Sequence, residues 1–332
     1  MSDVADISVL IVAYKSRATM TRCLDALSAQ TRKPCQILVL ENGSPAGERL
    51  SEADMPDGVE FVLSDDNLGF AAGNNRLAER ARGGWLAFLN PDAFAHPDWI
   101  EQLEQAIERY PDVTSFGSTQ FVADEPGRLD GTGDAYHALG LAYRSGYGRP
   151  VEEELAEGEV FAACGAAACV RRDVFAGLGG FDESFFCYNE DVDLGYRARL
   201  IGERVVQLAD AKVDHMGYAS SGRRSEFATY HGVRNRLIVF LRNTPGWLFW
   251  CLLPGHVAVS VALWLSSLRF GQGGVFLRAI GDALQRWPDI RAQRRELEQK
   301  RQISIGQIAR MMSWSPLDLL TRKQKIVDYK PR

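Results

Sequence analysis

The sequence Trp85-Leu86-Ala87-Phe88-Leu89-Asn90-Pro91-Asp92-Ala93 decides the fold. Its first five residues form a short apolar run after two glycines, which is typical of a buried strand. Pro91 has no N–H to donate to a sheet, so the strand must end there. Asp92 is then expected at the carboxyl end of a strand, where open α/β sheets bind ligands and where a carboxylate suits a hard divalent cation. The simpler alternative is a turn that leads into a helix at Pro97.

Strands and helices alternate on either side of this stretch. Upstream, apolar runs rich in β-branched residues predict strands over residues 7–14, 35–40 and 59–63. Apolar residues at helical spacing predict a helix over 19–29, with Thr19 as its N-cap. This alternation is typical of an α/β unit with right-handed crossovers.

The downstream pattern is less regular. It predicts a helix over 97–110, strands over 113–122 and 204–215, and a short helix that starts near Arg171. Residues 124–149 are rich in Gly, Asp and Tyr, so they are expected to form a long loop.

The segment from Asn67 to Asn74, Asn-Leu-Gly-Phe-Ala-Ala-Gly-Asn, follows the third strand. Gly69 and Gly73 would let the backbone approach a ligand closely, and a helix is expected to begin between them. A helix N-terminus of this kind suits a diphosphate. The spacing matches neither the Rossmann GxGxxG pattern nor the P-loop GxxxxGK[ST]. A glycine-containing start of an ordinary helix explains the segment equally well.

An acidic segment, which we define as residues 181–193, carries five acids interleaved with aromatic residues. Adjacent carboxylates such as Glu190 and Asp191 repel in a partly apolar site, which can raise a pKa into the range of a general base. The alternative is an acidic helix N-terminus stabilised by the helix dipole. Asp193 and Arg197 are four residues apart, so on a helix we expect them to pair.

Two further features follow the acidic segment. His215 ends a strand-like run, and although a lone histidine is usually structural, its imidazole is also a candidate metal ligand. An amphipathic helix then begins at Tyr230 and carries Arg234 and Arg236, whose guanidinium groups suit phosphate.

Residues 247–268 are almost entirely apolar and long enough to span a bilayer. Pro254-Gly255 interrupts the run, so a membrane-lying or re-entrant helical hairpin is favoured over a full span. The alternative is a helix that packs on the soluble domain. A second amphipathic helix is expected over 276–287.

The charges are unevenly distributed along the chain. From Arg269 onward there are 14 Lys and Arg against 6 Asp and Glu, a net charge of +8, whereas the whole chain carries −5. A basic tail behind an apolar segment predicts contact with an anionic membrane surface and not with nucleic acid. The six cysteines have no CxxC or Cys/His metal spacing, so we expect buried free thiols in a reducing compartment. The short acidic N-terminus lacks the charge and apolar pattern of a signal peptide, so we do not expect it to act as one.

Together, Val12-Ala13-Tyr14, Glu41-Asn42, the 67–74 segment, Asn90-Pro91-Asp92 and Glu190-Asp191 resemble the family 2 glycosyltransferases, and the resemblance covers roughly residues 6–245. Within that family the chain is most similar to bacterial rhamnosyltransferases of O-antigen and cell-wall synthesis, which move L-rhamnose from dTDP-rhamnose to a lipid-linked sugar. The resemblance implies an α/β GT-A fold, a mixed nucleotide-sugar-binding sheet flanked by helices, and a C-terminal helical membrane-associated segment.

The implied domains are a GT-A domain over 1–240, with a nucleotide-binding half (1–100) and an acceptor and catalytic half (101–240), and membrane-associated helices over 241–332. The resemblance also implies the donor-binding residues, which are Ala13, Tyr14, Glu41, Asn67, Gly69, Phe70, Gly73, Asn74, Asn90 and Asp92. The first three match positions that hold the base and ribose, and Glu41 stands where many relatives have Asp.

Asn90-Pro91-Asp92 stands in for the family's Asp-x-Asp motif. Asn replaces the first acid, which leaves Asp92 as the main carboxylate for Mg²⁺ or Mn²⁺, and His215 matches a metal-ligating histidine of some relatives. Asp191 matches the catalytic base, with Glu190 as its neighbour. The implied reaction is a single displacement with inversion, in which Asp191 deprotonates the acceptor hydroxyl.

The resemblance implies three partners: a nucleotide-sugar donor, expected to be dTDP-rhamnose; a lipid-linked saccharide acceptor; and the cytoplasmic face of the bacterial inner membrane, bound peripherally or monotopically. The apolar C-terminal segment would also suit a homodimer. UDP-linked galactofuranose, glucose or N-acetylhexosamine are alternative donors, and a non-catalytic nucleotide-sugar-binding scaffold is an alternative function. A nicotinamide-dependent oxidoreductase is disfavoured because the turn after the first strand, residues 13–16, has no glycine fingerprint.

Overall fold

A computed structural model describes residues 4–125, 127–151, 155–217 and 225–331. The strands are β1 (Val4–Ala13), β2 (Lys33–Asn42), β3 (Val59–Ser64), β4 (Trp85–Leu89), β5 (Ala93–Ala95), β6 (Ser115–Val122), β7 (Leu129–Gly131), β8 (Asp134–His137), β9 (Leu141–Arg144), β10 (Gly158–Glu159), β11 (Ala167–Arg171) and β12 (Val205–His215). The helices are α1 (Arg17–Ser28), α2 (Gly69–Ala78), α3 (Trp99–Arg109), α4 (Arg172–Gly177), α5 (Glu190–Leu200), α6 (Glu226–Asn243), α7 (Gly246–Leu268), α8 (Gly273–Gln285), α9 (Trp287–Lys300), α10 (Ile305–Met311) and α11 (Pro316–Thr321).

A mixed sheet of ten strands organises the molecule, with the order β10-β12-β6-β11-β4-β1-β2-β3 along its main path. Strands β4, β1, β2 and β3 lie side by side in this order and run parallel, as the alternating pattern predicts. Strand β11 runs antiparallel to both β4 and β6 and joins the parallel part to the rest of the sheet. The apolar run over residues 85–89 forms β4 with the predicted bounds, in the middle of the sheet. The predicted mixed α/β architecture is therefore confirmed.

The two faces of the sheet are covered by different helices. Val9 and Ile11 of β1 lie in one core with residues of α1 and α3, whereas Leu10 lies in the core on the opposite face with residues of α2. Because successive side chains of a strand point to opposite faces, a continuous apolar run is what such a two-sided burial requires. A third core joins α5 to α10 around Tyr136 and Phe161.

Two local predictions are wrong. Helix α1 begins at Arg17 after Ser16, so Thr19 is inside the helix and is not its N-cap. Residues 124–149 do not form one long loop, because they contain β7, β8 and β9. Two of the glycines that suggested a loop, Gly133 and Gly140, occupy the turns between these strands, and their φ values of 84° and 75° favour glycine.

Helix α7 runs without interruption through Pro254, so the predicted hairpin is wrong. The residues after the proline are held from outside the helix. Gly255 lies close to the side chain of Leu139, and His256 donates from Nδ1 to the Leu139 carbonyl over 2.8 Å while its ring stacks on Phe240. Tertiary contacts therefore fix a helical conformation where the sequence alone indicates a break.

The cysteines are free thiols, as predicted. Cys23, Cys164 and Cys169 are buried, and burial raises the pKa of the Cys23 thiol to about 12. Cys251 is exposed on α7, so the prediction of burial is wrong at that position.

Candidate active site

The Asn90-Pro91-Asp92 segment is a tight turn between β4 and β5, in which the Ala93 N–H donates to the Asn90 carbonyl over 3.0 Å. Strand β5 pairs antiparallel with β12, and the register places Ala93 opposite His215. This pairing brings Asp92 Oδ1 to 3.3 Å from His215 Nε2. The segment is thus a turn, and the turn also presents its carboxylate to the predicted histidine.

Asp130, which no sequence motif indicates, completes this corner. His215 Nδ1 lies 2.7 Å from Asp130 Oδ2, and Arg144 pairs with the same carboxylate. Burial alone would lower the pKa of His215, but its hydrogen bonds to Asp130 and Asp92 raise that pKa above the ordinary value. Burial would raise the pKa of Asp130, but His215 and Arg144 lower it. Asp130 lies within the predicted loop, where no periodic pattern distinguishes one acid from another.

The corner fits a divalent cation. A carboxylate oxygen and an imidazole nitrogen suit Mg²⁺ or, better, Mn²⁺. The amide nitrogen Nδ2 of Asn90 lies 3.4 Å from His215 Nε2, so the Asn90 side chain borders the same corner. A cation between Asp92 and His215 would take the place of the Nε2 proton, while Nδ1–H still donates to Asp130. Such a carboxylate partner fixes the tautomer and the ring orientation of a metal-binding histidine.

The loop that resembles the donor-binding motif, which we call the donor loop (residues 67–74), is fixed by asparagine side chains. Asn42 accepts from the Leu68 N–H over 3.0 Å and donates to Asn67 Oδ1 over 3.1 Å. The same Asn67 oxygen accepts the N–H of Gly69, where α2 begins. Asn67 therefore shapes the turn into the helix, and the N-terminus of α2 lies at the carboxyl edge of the parallel strands.

Both glycines of the donor loop permit close contacts within the protein. A Cβ atom on Gly69 would lie 2.5 Å from the Phe186 carbonyl oxygen, and one on Gly73 would lie 2.8 Å from Val12 Cγ1. Gly73 thus lets α2 pack against β1. Asn74 is buried, and its side chain donates to the Phe70 carbonyl over 3.0 Å.

Ala13, Tyr14 and Glu41 lie at the ends of β1 and β2, and the register pairs Ala13 with Glu41. Glu41 is fully buried, and its two carboxylate oxygens accept the backbone N–H groups of Ser44 over 2.7 Å and Leu50 over 2.9 Å. The residue holds the loop that follows β2. Tyr14, in contrast, is only half-buried.

Asp191 lies in the first turn of α5, close to the donor loop. Its Oδ2 atom accepts the Gly165 N–H over 2.8 Å, and its Oδ1 atom accepts the Val192 N–H over 2.8 Å. A Cβ atom on Gly165 would lie 3.2 Å from the end of the Phe70 ring and 3.3 Å from Asp191 Oδ2. The structure therefore brings the donor loop and the predicted base to the same point.

Two more acids lie beside Asp191. Glu190 is buried, its Oε2 atom has no hydrogen-bond partner among the described residues, and burial together with Asp191 raises its pKa well above the ordinary value. Asp134 of β8 is also buried, and burial and Asp191 raise its pKa in the same way. Oxygen atoms of Asp134 and Asp191 lie with Cys164 Sγ within 4.8 Å of one another. Asp134 and Glu190 are thus pushed toward the protonated form beside Asp191.

The backbone before α5 is strained. Phe186, Tyr188 and Asn189 have φ values of 64°, 71° and 66°, each costing about 1–3 kcal/mol in a non-glycine residue. Asn235 of α6 compensates, because its buried amide nitrogen lies 2.9 Å from the carbonyl oxygens of Phe185, Cys187 and Tyr188. Asn235, which lies 44 residues downstream of Asp191, thus holds the loop that presents Asp191.

Asp193 lies beneath this loop, fully buried. The predicted pair with Arg197 is confirmed, with 2.7 Å between Nε and Oδ2, and Arg242 and Asn243 of α6 also contact the carboxylate. Burial would raise the pKa of Asp193, but Arg197 and Arg242 lower it to about 2. Arg242 also contacts Asp182 at the start of the acidic segment, so one cation ties both ends of that segment to α6.

The chain belongs to glycosyl transferase family 2, whose model matches residues 8–179. It is 29% identical over 304 residues to the N-acetylglucosaminyl-diphospho-decaprenol L-rhamnosyltransferase of Mycobacterium tuberculosis, covering 81% of this chain and 95% of that one. It is also similar to the crystal structure of GalNAc-T7 with UDP, GalNAc and Mn²⁺ (TM-score 0.57, 16% identity), covering 73% of this chain and 48% of that one. A third similar protein is the Pyrobaculum calidifontis mannosyltransferase PcManGT in complex with GDP-Man and Mn²⁺ (TM-score 0.52, 15% identity), with 89% and 85% covered. The sheet and its helices have the GT-A fold.

Proposed function

We propose that this protein is an inverting, metal-dependent glycosyltransferase that moves L-rhamnose from dTDP-rhamnose to a lipid-linked saccharide in cell-surface polysaccharide synthesis. The observation that carries the reaction is the meeting of the donor loop and Asp191 across Gly165. The choice of sugar is supported by the similarity to the mycobacterial rhamnosyltransferase.

The site residues divide into two groups. Asp92 and His215 would hold Mg²⁺ or Mn²⁺, with Asp130 fixing the imidazole, and the bound cation would neutralise the diphosphate of the donor as it leaves. No general acid is needed, because a diphosphate is already a good leaving group.

Asp191 accepts the proton of the acceptor hydroxyl as that oxygen attacks the anomeric carbon from the face opposite the diphosphate. The hydrogen bonds from Gly165 and Val192 fix the direction of the carboxylate. Raised pKa values keep Asp134 and Glu190 toward the neutral form, so they add little charge repulsion beside a base that must remain ionised.

The donor and metal are tested together by thermal melting. The melting temperature is measured with dTDP-rhamnose, UDP-glucose, UDP-galactofuranose and UDP-N-acetylglucosamine, each with and without Mn²⁺. We expect dTDP-rhamnose to stabilise the protein only when Mn²⁺ is present, by about 2.7 kcal/mol at a hundredfold excess over Kd. A larger, metal-dependent shift with a UDP-sugar would replace the proposed donor.

We further propose that α7 attaches the enzyme to the cytoplasmic face of the inner membrane. It is the one helix in the described part of the chain that is long and apolar enough to cross a membrane. Only 22% of its most apolar 18-residue stretch is buried in the protein. Trp247 and Trp250 are 59% and 70% exposed at its N-terminal end. Tryptophan is typical of the membrane–water interface, and the basic tail would contact anionic lipid.

Sedimentation with vesicles tests this attachment. The wild type should bind vesicles that contain phosphatidylglycerol, and the W247S/W250S variant should bind them less. If the variant binds vesicles equally well but changes from dimer to monomer in solution, the exposed face serves a homodimer.

A further inference from the structure

Arg236 on α6 is buried, with 8% of its surface exposed, yet most of its guanidinium has no partner. Nη2 donates to Ser260 Oγ over 3.1 Å. Nε and Nη1 have no hydrogen-bond partner within the described ranges. Burial lowers the pKa of this guanidinium to about 10, with Tyr136 as the opposing influence and no carboxylate involved. A buried cation without an anion costs several kcal/mol.

The other arginines that the structure describes as buried show what a satisfied guanidinium looks like here. Each is paired with at least one carboxylate: Arg197 with Asp193, Arg199 and Arg204 with Glu159, and Arg242 with Asp182 and Asp193. Arg236 is the exception among these residues. Its unpaired N–H groups therefore point to an anion that comes from outside the chain.

Arg236 lines an open groove of about 330 Å³ between α6, α7 and α8. The walls are mostly apolar and are formed by Leu141, Val233, Leu263, Phe270 and Phe276. Leu263 and Phe270 are 38% and 54% exposed, so the groove is continuous with the apolar outer face of α7. A site with one buried cation, apolar walls and an opening toward a lipid-facing helix suits a molecule with a phosphate at one end and a hydrocarbon chain at the other.

We propose that this groove binds the prenyl diphosphate end of the lipid-linked acceptor, with Arg236 contacting the phosphate and the apolar walls contacting the first prenyl units. The assignment rests on the proposed function for the identity of the acceptor. Helix α6 would then act on both ends of the acceptor, because the neighbouring residue Asn235 holds the loop that presents Asp191. Arg236 is a binding residue in this account and does not take part in the chemical step.

The binding test uses farnesyl diphosphate as a soluble probe, in EDTA and without nucleotide sugar, so that the metal-dependent donor site does not contribute. We expect the wild type to bind the probe, and R236M to bind it about 10- to 100-fold more weakly, because charge-assisted hydrogen bonds are lost. R236K should bind with intermediate affinity. R310M is the matched control, since Arg310 is exposed on α10 and is remote from the groove lining, and it should bind as the wild type does.

Three outcomes would overturn the proposal. One is equal affinity for farnesyl diphosphate in R236M and the wild type. Another is an equal response to inorganic diphosphate, which would make this a site for a free anion, or to phosphatidylglycerol vesicles, which would make it a general lipid site. The third is a lower melting temperature of ligand-free R236M, because removing an unpaired buried charge should leave stability unchanged or raise it.

Transfer kinetics separate this proposal from the proposed function. R236M should raise KM for a prenyl-diphosphate-linked acceptor about 10- to 100-fold while leaving the donor-induced melting shift unchanged. If farnesyl diphosphate binds through Arg236 but no rhamnose is transferred, the proposed donor fails and the groove assignment stands. If rhamnose is transferred with the same acceptor KM in both proteins, the groove assignment fails and the enzyme assignment stands.

Discussion

The parallel part of the sheet and the acidic segment position their functional groups in different ways. At the ends of β1, β2 and β4 the groups are placed mainly by backbone pairing; Asp92 meets His215 because β5 pairs with β12. The acidic segment contains no strand, and its strained backbone is held by side chains of α6. Sheet pairing distributes the constraint over many bonds, whereas the acidic segment depends on a few side chains.

This difference predicts unequal tolerance to mutation. Loss of a single exposed or neutral hydroxyl group along the strand ends should have a small effect, because neighbouring backbone bonds remain. Loss of one anchor of the acidic segment should have a large effect, because it leaves a buried charge or a strained loop without support.

The largest effect is expected for R242M. It removes the arginine that contacts Asp182 and one of the two arginines that contact Asp193, all in a buried site. The free energy of unfolding, measured by urea denaturation, should therefore fall by about 3–5 kcal/mol. R82M is the matched control, because the Arg82–Glu60 pair is largely exposed and should contribute about 0–1 kcal/mol. Equal effects of the two substitutions would show that the acidic segment does not depend on this anchor.

N235A should have the next largest effect. It removes the amide that contacts three carbonyls of the strained loop, so the free energy of unfolding should fall by about 1–3 kcal/mol. The turnover number should fall further than this loss of stability explains, since Asp191 is no longer held in place. An unchanged turnover number at a temperature where the variant is folded would contradict the role of Asn235.

D130N tests the metal corner. A carboxylate that orients a ligating histidine typically contributes about 10- to 100-fold to metal affinity, so the Mn²⁺ concentration that half-saturates donor binding should rise by that factor. D98N, a substitution of an aspartate before α3, serves as the control and should not change it. Unchanged Mn²⁺ dependence in D130N would remove Asp130 from the site.

The smallest effect is expected for S44A. The Ser44 hydroxyl accepts one backbone N–H, that of Lys15, over 2.9 Å, so its loss should cost about 0.5–1.5 kcal/mol with little change in donor affinity. A loss as large as that of R242M would mean that the strand ends are as sensitive as the acidic segment.

The parts of the molecule that follow from local pattern are those that the sequence predicts well. The apolar run of β4 and its proline stop predict both a strand and the position of Asp92, and the four-residue spacing of Asp193 and Arg197 predicts their pair. Asp130 and Asn235 are different, because their roles depend on contacts with residues 85 and about 50 positions away in the chain. Such long-range contacts leave no periodic signal. The continuity of α7 through Pro254 likewise depends on Leu139 and Phe240.

The most direct test of the central claim is to measure sugar transfer and donor binding together in D191N. Loss of a general base typically lowers the rate about 10²- to 10⁴-fold. We predict that D191N transfers rhamnose from dTDP-rhamnose to a prenyl-diphosphate-linked acceptor at least about 10²-fold more slowly than the wild type. The Mn²⁺-dependent melting shift with dTDP-rhamnose should stay as in the wild type. Transfer at the wild-type rate would contradict the assignment of Asp191 as the base and, with it, the proposed arrangement of the site.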